Sequence, residues 1–182
     1  MEIRDLTIAI GQSLTKDEKL LRILHYVPSH DGDDPLDPSK PSLLDNPDVE
    51  QKWSLIDNHI KSTPKTEDLT EDPIGRVLYF MGRRAGNQNN QLYDSQDIVF
   101  DVVMHEEFAK NYQLEMAVDY LIEKFNALQI GRLDRSLDQT VGVGRMYLDG
   151  IEPIGSIAKG YFGYRLVFVM KLKSRGKHKW DT

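Results

Sequence analysis

The 182-residue chain contains no cysteine. That absence excludes disulfides, thiol nucleophiles and thiolate metal sites, and it fits synthesis in a reducing cytoplasm. No stretch approaches the ~18 consecutive apolar residues of a membrane-spanning helix. The N-terminal sequence has acids and no apolar run before a small-residue cleavage site, so we predict no signal peptide. We therefore expect a protein without membrane contacts.

Motifs for catalysis are also scarce. The chain has neither a GKS or GKT phosphate loop nor a GxSxG nucleophile elbow. Residues 142–144 are too short for a dinucleotide fingerprint, and residues 30–34 lack the spacing of a calcium loop. His105, Glu106 and Glu107 form a tight cluster without the second histidine of a zincin, which favours a structural role and leaves a small metal-dependent hydrolase as the alternative. We predict no enzymatic activity, no metal and no cofactor.

The net charge of -6 is unevenly distributed along the chain. Residues 31–72 hold 12 acids and 4 bases, a balance that argues against a nucleic-acid grip there. The C-terminal end is basic, with Lys171, Lys173, Arg175, Lys177 and Lys179. We interpret it as a solvated end, with an electrostatic contact to an acidic partner or to DNA as the alternative.

Three segments organise the N-terminal part of a single domain. Residues 1–26 predict a helix pair, in which Thr15 is a plausible N-cap for the second helix. Residues 27–50 hold five of the eight prolines and predict an extended acidic arm with few internal hydrogen bonds. Residues 48–61 predict a short helix with Val49, Trp53, Ile56 and Ile60 on one side.

The sheet-and-helix core is predicted within residues 51–182. Residues 77–82, 98–105 and 163–173 indicate strands, because apolar residues alternate along the last two of them. Residues 142–148 predict a further, weaker strand. Residues 114–128 carry an apolar stripe wide enough to cover a sheet face. The predicted fold class is α+β: a mostly antiparallel four- to five-stranded sheet covered by helices, with N-terminal helices and a long proline-rich arm.

Two polar segments are the predicted contacts with other chains, namely the arm and the loop 83–97. An extended arm stays ordered most easily when something packs on it, and we favour a neighbouring subunit over packing on its own chain. The candidate contact residues are Leu36, Leu43, Leu44, Arg83, Arg84, Asn89, Asn90 and Tyr93. We expect the aspartates of the arm to stay solvated or to face a basic partner.

The order of these elements resembles the tail terminator family of long-tailed bacteriophages, also called head–tail joining or neck proteins. The residues that carry the likeness are 76–82, 97–107, 114–128 and 160–172. They are a strand, a strand ending in Asp-x-x-x-His, a helix, and a last strand that begins Gly-x-x-Gly-Tyr. The N-terminal helix pair is also similar to such proteins in phages of Gram-positive hosts.

The resemblance implies a virion protein, made in the host cytoplasm and assembled into the tail or neck. Its subunits would form a homo-oligomeric ring, most simply a hexamer, that ends the tail tube and joins it to the head connector. The implied partners are the tail tube protein and the head connector protein, with DNA passing through the ring without sequence-specific binding. The alternatives are a head completion protein of the neck (a stopper or adaptor), or an adaptor domain that binds another protein.

Overall fold

The computed structural model describes residues 3–64, 66, 69, 73–86, 93–126, 145–155 and 157–173. Its helices are α1 (Ile3–Thr15), α2 (Glu18–His25), α3 (Val49–His59) and α4 (Gln113–Phe125), with a 3₁₀ helix at Glu106–Asn111. Its strands are β1 (Ile60–Lys61), β2 (Gly75–Gly86), β3 (Tyr93–His105), β4 (Met146–Ile154) and β5 (Tyr161–Lys173). None of the described helices is long and apolar enough to cross a membrane.

The five strands form one mixed sheet in the order β1-β2-β3-β5-β4. Only the short pairing of β1 with β2 is parallel, and the other three pairings are antiparallel. This confirms the predicted α+β class, the mostly antiparallel sheet and the N-terminal helices. The predicted weak strand of residues 142–148 corresponds to β4, which continues through Pro153 to Ile154 and so ends later than expected.

The main core lies between the sheet and the helices α1, α2 and α4. Phe100 of β3 stacks on Phe125 of α4 with ring centroids 4.8 Å apart, and it meets Phe168 of β5 edge to face. Such aromatic pairs add to the stabilisation that comes from burying their area. The apolar stripe of α4 and the alternating residues of β3 and β5 therefore pack as their spacing predicts.

The N-cap of α2 corrects one prediction. Asp17, not Thr15, is the capping residue, and its side chain accepts a hydrogen bond from the Leu20 amide. Asp17 also accepts hydrogen bonds from Tyr120 and Lys124 of α4, so it joins two helices as well as capping one. Burial, together with the hydrogen bond to the Asp17 carboxylate, raises the pKa of the Tyr120 hydroxyl above its usual range. The sequence pattern could not show this tertiary role.

The strands on either side of residue 90 are longer than predicted. Paired backbone extends to Gly86 on β2 and begins at Tyr93 on β3, so much of the predicted loop 83–97 is a β-hairpin. A β-bulge between Met81 and Arg84 interrupts the register, and the buried Gln96 side chain donates a hydrogen bond to the Gly82 carbonyl there. Other polar side chains of the two strands also bond across them, Arg84 to Asp94 and Ser95 to the Ala85 carbonyl.

Candidate interaction surfaces

The proline-rich segment 27–50 is not an extended arm. It forms successive turns that lie against α2. Hydrogen bonds within the segment, such as those from the Asp37 amide to the Asp34 carbonyl and from the Leu36 amide to the Asp34 carboxylate, stabilise these turns, which contradicts the predicted scarcity of internal hydrogen bonds.

Side chains of α2 and of its C-cap Tyr26 then attach the segment to the helix. The Glu18 carboxylate accepts hydrogen bonds from the Leu43 and Leu44 amides at 2.8 and 2.9 Å. The Tyr26 hydroxyl donates to the Pro41 carbonyl at 2.6 Å. These contacts hold the segment on its own chain.

The three leucines of this segment accordingly pack inward. Leu43 is only 7% exposed and belongs to the main core, while Leu36 and Leu44 are partly buried against it. This corrects the preference for a neighbouring subunit as their packing surface. The three leucines do anchor the segment by packing, but the surface on which they pack belongs to the same chain.

The acidic turn of residues 29–37 is held at two points. Asp33 accepts hydrogen bonds from the Ser29 amide and hydroxyl and forms an ion pair with Lys40 at 2.6 Å. The Lys40 ammonium and the Ser29 donors hold the pKa of the Asp33 carboxyl well below its usual range. On the other side, the Asn111 side chain donates to the Asp33 carbonyl and accepts from the Gly32 amide. Asp33 thus faces a base of its own chain.

The remaining aspartates of this turn form an acidic surface. Asp31, Asp34 and Asp37 are exposed, and beside them lies a cavity of about 660 Å³ that Tyr112 and Met116 also line. Tyr112 is 72% exposed and has a positive φ of 53°, which is uncommon for a residue other than glycine. The solvated aspartates agree with the expectation from sequence.

The predicted contacts on the β2–β3 hairpin have different environments. Two nitrogens of the Arg84 guanidinium, Nε and Nη2, donate to the same carboxylate oxygen of Asp94 on the other strand, at 3.2 and 2.8 Å, and Arg83 is exposed. Tyr93 begins β3, opposite Lys173 of β5. Asn89 and Asn90 lie outside the described residues. Of the two arginines, Arg84 is engaged in the ion pair with Asp94, so Arg83 is the one more available to another molecule.

The His105 cluster has a structural role. His105 Nδ1 accepts a hydrogen bond from the Glu107 amide at 3.3 Å and caps the 3₁₀ helix. Its ring packs edge to face on Tyr161, and a side chain at Gly160 would come within 2.9 Å of its Nε2. Glu107 pairs with Lys110 at 2.7 Å. Within the described part of the chain, no three acids or histidines converge into a possible metal site.

A histidine pair that the sequence did not single out links α2, α3 and β2. His59 Nδ1 lies 2.7 Å from the Gly75 carbonyl, and His59 Nε2 lies 3.1 Å from His25 Nδ1. Because a carbonyl can only accept, His59 Nδ1 carries the proton. In the neutral state of His59, its Nε2 has no proton and accepts a hydrogen bond from the Nδ1–H of His25.

Burial enforces that neutral state. His59 is 3% exposed, and desolvation lowers its pKa to about 4, with the His25 and Arg76 charges acting in the same direction. Burial also lowers the pKa of His25. Both rings line an open cavity of about 700 Å³, together with Glu50, Ser54, Asn58 and Arg76. His25 and His59 are 34 residues apart, so no local pattern could have paired them.

Large apolar side chains are exposed at the two opposite ends of the sheet. On α1 and α3, which contact β1 and β2, the exposed residues are Ile3, Ile8, Val49 and Trp53. On β4, at the other end, they are Tyr147 and Ile151. A β-bulge between them places Tyr147 opposite Val169 and Ile151 opposite Leu166, so the two side chains lie on opposite faces of the sheet at the same edge. We call these sets the helix patch and the β4 patch.

The helix patch corrects the predicted inner face of the third helix. Trp53 is 56% exposed and Val49 is more exposed still, while Ile56 is buried as predicted. Packing of α3 on α2 and β2 uses a different stripe, because α3 sits at the sheet edge with one narrow side covered. The sequence spacing placed Trp53 on the apolar side of this helix, but spacing does not show whether another element covers that side.

Comparison with known proteins connects this fold to a phage source. The model of the YomW family matches residues 17–170. The chain is also 26% identical over 159 residues to the SPbeta prophage-derived protein YomW of Bacillus subtilis (strain 168), covering 84% of this chain and 86% of that protein. The match spans every strand of the sheet and three of the four α-helices. The chain therefore belongs to the YomW family.

Proposed function

We propose that this chain is a phage-derived structural virion protein whose subunits form a closed ring, most simply of six. The ring ends the tail tube and joins it to the head connector, so its partners are further copies of itself, the tail tube protein and the connector protein. It is made in the host cytoplasm and resides in the tail or neck of the virion. We propose no enzymatic activity. The prophage origin of the related YomW protein and the resemblance to tail terminators support this assignment.

The observation that carries the ring is the pair of unlike apolar patches. The helix patch and the β4 patch lie at opposite ends of one sheet and differ in residue composition and in secondary structure. A surface that binds a copy of itself makes a two-fold dimer. Two different surfaces that bind each other make a head-to-tail contact, which closes into a ring when the rotation between copies allows.

Two experiments test the proposal. Mass photometry of the purified chain gives the number of subunits, and a ring of defined size is the expected result. Deleting its gene from an inducible prophage should give tails of abnormal length that carry no heads. Normal tails joined to heads after the deletion would refute the proposed function.

The same deletion distinguishes the neighbouring roles in the neck. A stopper or adaptor protein of the head acts on the capsid side of the joint, so its loss leaves tails of normal length beside unjoined heads. We favour the tail terminator because the resemblance includes the strand–helix–strand order of residues 97–172. Mass spectrometry of purified tails, separated from heads, should then detect this chain in the tail fraction.

A further inference from the structure

The proposed ring leaves open which elements of neighbouring copies meet, and the open edges of the sheet address this. The outer edge of β2 is paired with β1 only at Val77 and Leu78. From Tyr79 to Gly86, no strand of the described chain lies on that side. At the opposite end, β4 pairs with β5 on one side only, along residues 146–154. Unpaired backbone groups of this kind are templates for another strand.

We propose that β4 of one copy docks on the open part of β2 in the next copy. Ile151, on the face of the sheet that the helices cover, then packs near the helix patch of that neighbour, while Tyr147 lies at the same edge on the opposite face. The inference rests on the proposed ring and adds the identity of its contact surfaces. The occupant of each edge is thus a second copy of this chain.

Strand direction supports this docking. Each of the antiparallel pairings β2–β3, β3–β5 and β5–β4 reverses direction, so β4 runs opposite to β2. Copies related by a modest rotation would therefore pair β4 with β2 antiparallel, and the sheet would continue from subunit to subunit. The right-handed twist of such a sheet supplies a rotation at each step.

The charges at the two edges are complementary. β4 carries the exposed acids Asp149 and Glu152 and no basic residue, whereas Arg83 is exposed on the open part of β2. Opposite charges on facing surfaces favour correct docking and disfavour the pairing of two like edges. An edge-to-edge contact between two β4 strands would instead bring four carboxylates together.

Irregularities limit how far the strands can pair. Pro153 has no amide to donate, and β-bulges interrupt β4 between Leu148 and Gly150 and β2 between Met81 and Arg84. Short pairing of this kind gives little adhesion to unrelated sheets. The apolar side chains must then provide much of the affinity, which makes them the residues to change.

The first experiment uses two double variants and a matched control. The β4 variant is Tyr147→Glu with Ile151→Glu, and the helix variant is Val49→Glu with Trp53→Glu. The control is Tyr112→Glu, because Tyr112 is exposed but lies at neither end of the sheet. Each double variant should weaken self-association by about 30-fold or more, as loss of central apolar contacts does, while the control keeps the ring.

Mixing the two double variants gives the sharper result. Each should be monomeric alone, and their mixture should form a dimer and nothing larger, because one intact β4 edge can meet one intact helix edge. A symmetric contact could not be rescued in this way. Circular dichroism and thermal melting of each variant establish that it is folded before its mass is interpreted.

Cross-linking provides a second test that does not depend on disrupting the contact. Since the chain has no cysteine, the pair Asp149→Cys and Arg83→Cys introduces the only thiols. A short bis-maleimide should link this variant into a ladder that ends at the ring, whereas Tyr112→Cys with Arg83→Cys should give no ladder.

The outcomes separate this inference from the proposed function. A ring that persists in both double variants, or an Asp149/Arg83 cysteine pair that fails to cross-link, overturns the docking and leaves the ring function in place. A wild-type chain that stays monomeric and is missing from purified particles overturns both.

Discussion

Acidification should destabilise this protein well before its carboxylates are protonated, and His59 is the reason. In the folded chain its pKa is about 4, while an unfolded histidine has a pKa of about 6.5. Between these values the unfolded state binds a proton that the folded state does not. The contribution of His59 to the free energy of unfolding therefore falls as the pH drops below about 6.5, and this contribution levels off below about 4.

The magnitude follows from the two pKa values. Lowering the pH from 7 to 5 should cost about 2 kcal/mol from His59, since each unit of pKa difference is worth about 1.4 kcal/mol. His25 acts in the same direction because burial lowers its pKa as well. Ordinary carboxylates, with pKa values near 4, contribute little to the change in this pH range.

Urea unfolding at pH 7, 6 and 5 measures the effect. The matched variant is His59→Asn, because its amide replaces Nδ1 as a donor to the Gly75 carbonyl and does not titrate. Its stability should be lower at pH 7 but should depend less on pH. His30→Asn, at an exposed position, should retain the wild-type pH dependence.

Two results would refute this reasoning. One is a wild-type free energy of unfolding that is constant between pH 7 and 5. The other is a His59→Asn variant that loses as much stability as the wild type over that range. Ring resonances in NMR spectra provide an independent reading, because a His59 pKa near 6.5 would remove the proposed cause.

Three further substitutions test other parts of the fold. Gly163→Ala should lower the free energy of unfolding by about 3 kcal/mol or more in thermal or urea unfolding, because the new Cβ would lie 2.2 Å from the Val102 carbonyl oxygen in the middle of the sheet. A change below about 1 kcal/mol would contradict the described β3–β5 register. Asp17→Ala should cost about 3 kcal/mol by the same measurement, because it removes the cap of α2 and leaves the partly buried Lys124 without its carboxylate. Asn111→Ala should speed proteolysis of the acidic turn that the Asn111 side chain holds, and it should lower the free energy of global unfolding by only about 1 kcal/mol. An unchanged cleavage rate would contradict that anchoring role.

Local patterns in the sequence predicted the central elements of the fold. The alternation of apolar residues along 98–105 and 163–173 gave two strands that lie side by side as β3 and β5. The apolar stripe of residues 114–128 predicted the helix that covers them, which is α4 from Gln113 to Phe125 in the described part of the chain. These predictions were confirmed because periods of 2 and 3.6 residues follow from backbone geometry, which acts over a few residues.

Pairing across the sheet decided features that no local pattern contains. β1 has two residues and exists because β2 pairs with it. The hairpin strands continue through polar residues, and Arg84 on β2 forms an ion pair with Asp94 on β3, two positions away from its own cross-strand partner Gln96. Trp53 is exposed because α3 covers only one narrow side against its neighbours, although its ring is among the largest in the chain.

In the candidate interaction surfaces, too, some features follow from the sequence alone and others from the tertiary structure. The sequence by itself determined that Leu36, Leu43 and Leu44 would anchor residues 27–50, since burying leucine is favourable in any context. The predicted scarcity of internal hydrogen bonds was wrong, because turns and aspartate side chains supply them within the segment. Only the tertiary structure decided where the leucines anchor, because the Glu18 carboxylate that accepts the Leu43 and Leu44 amides is about 25 residues away. The His25–His59 pair and the opposition of the helix patch to the β4 patch likewise depend on how distant segments meet. The order of the strands in the sheet sets those distances, and residue spacing along the chain does not.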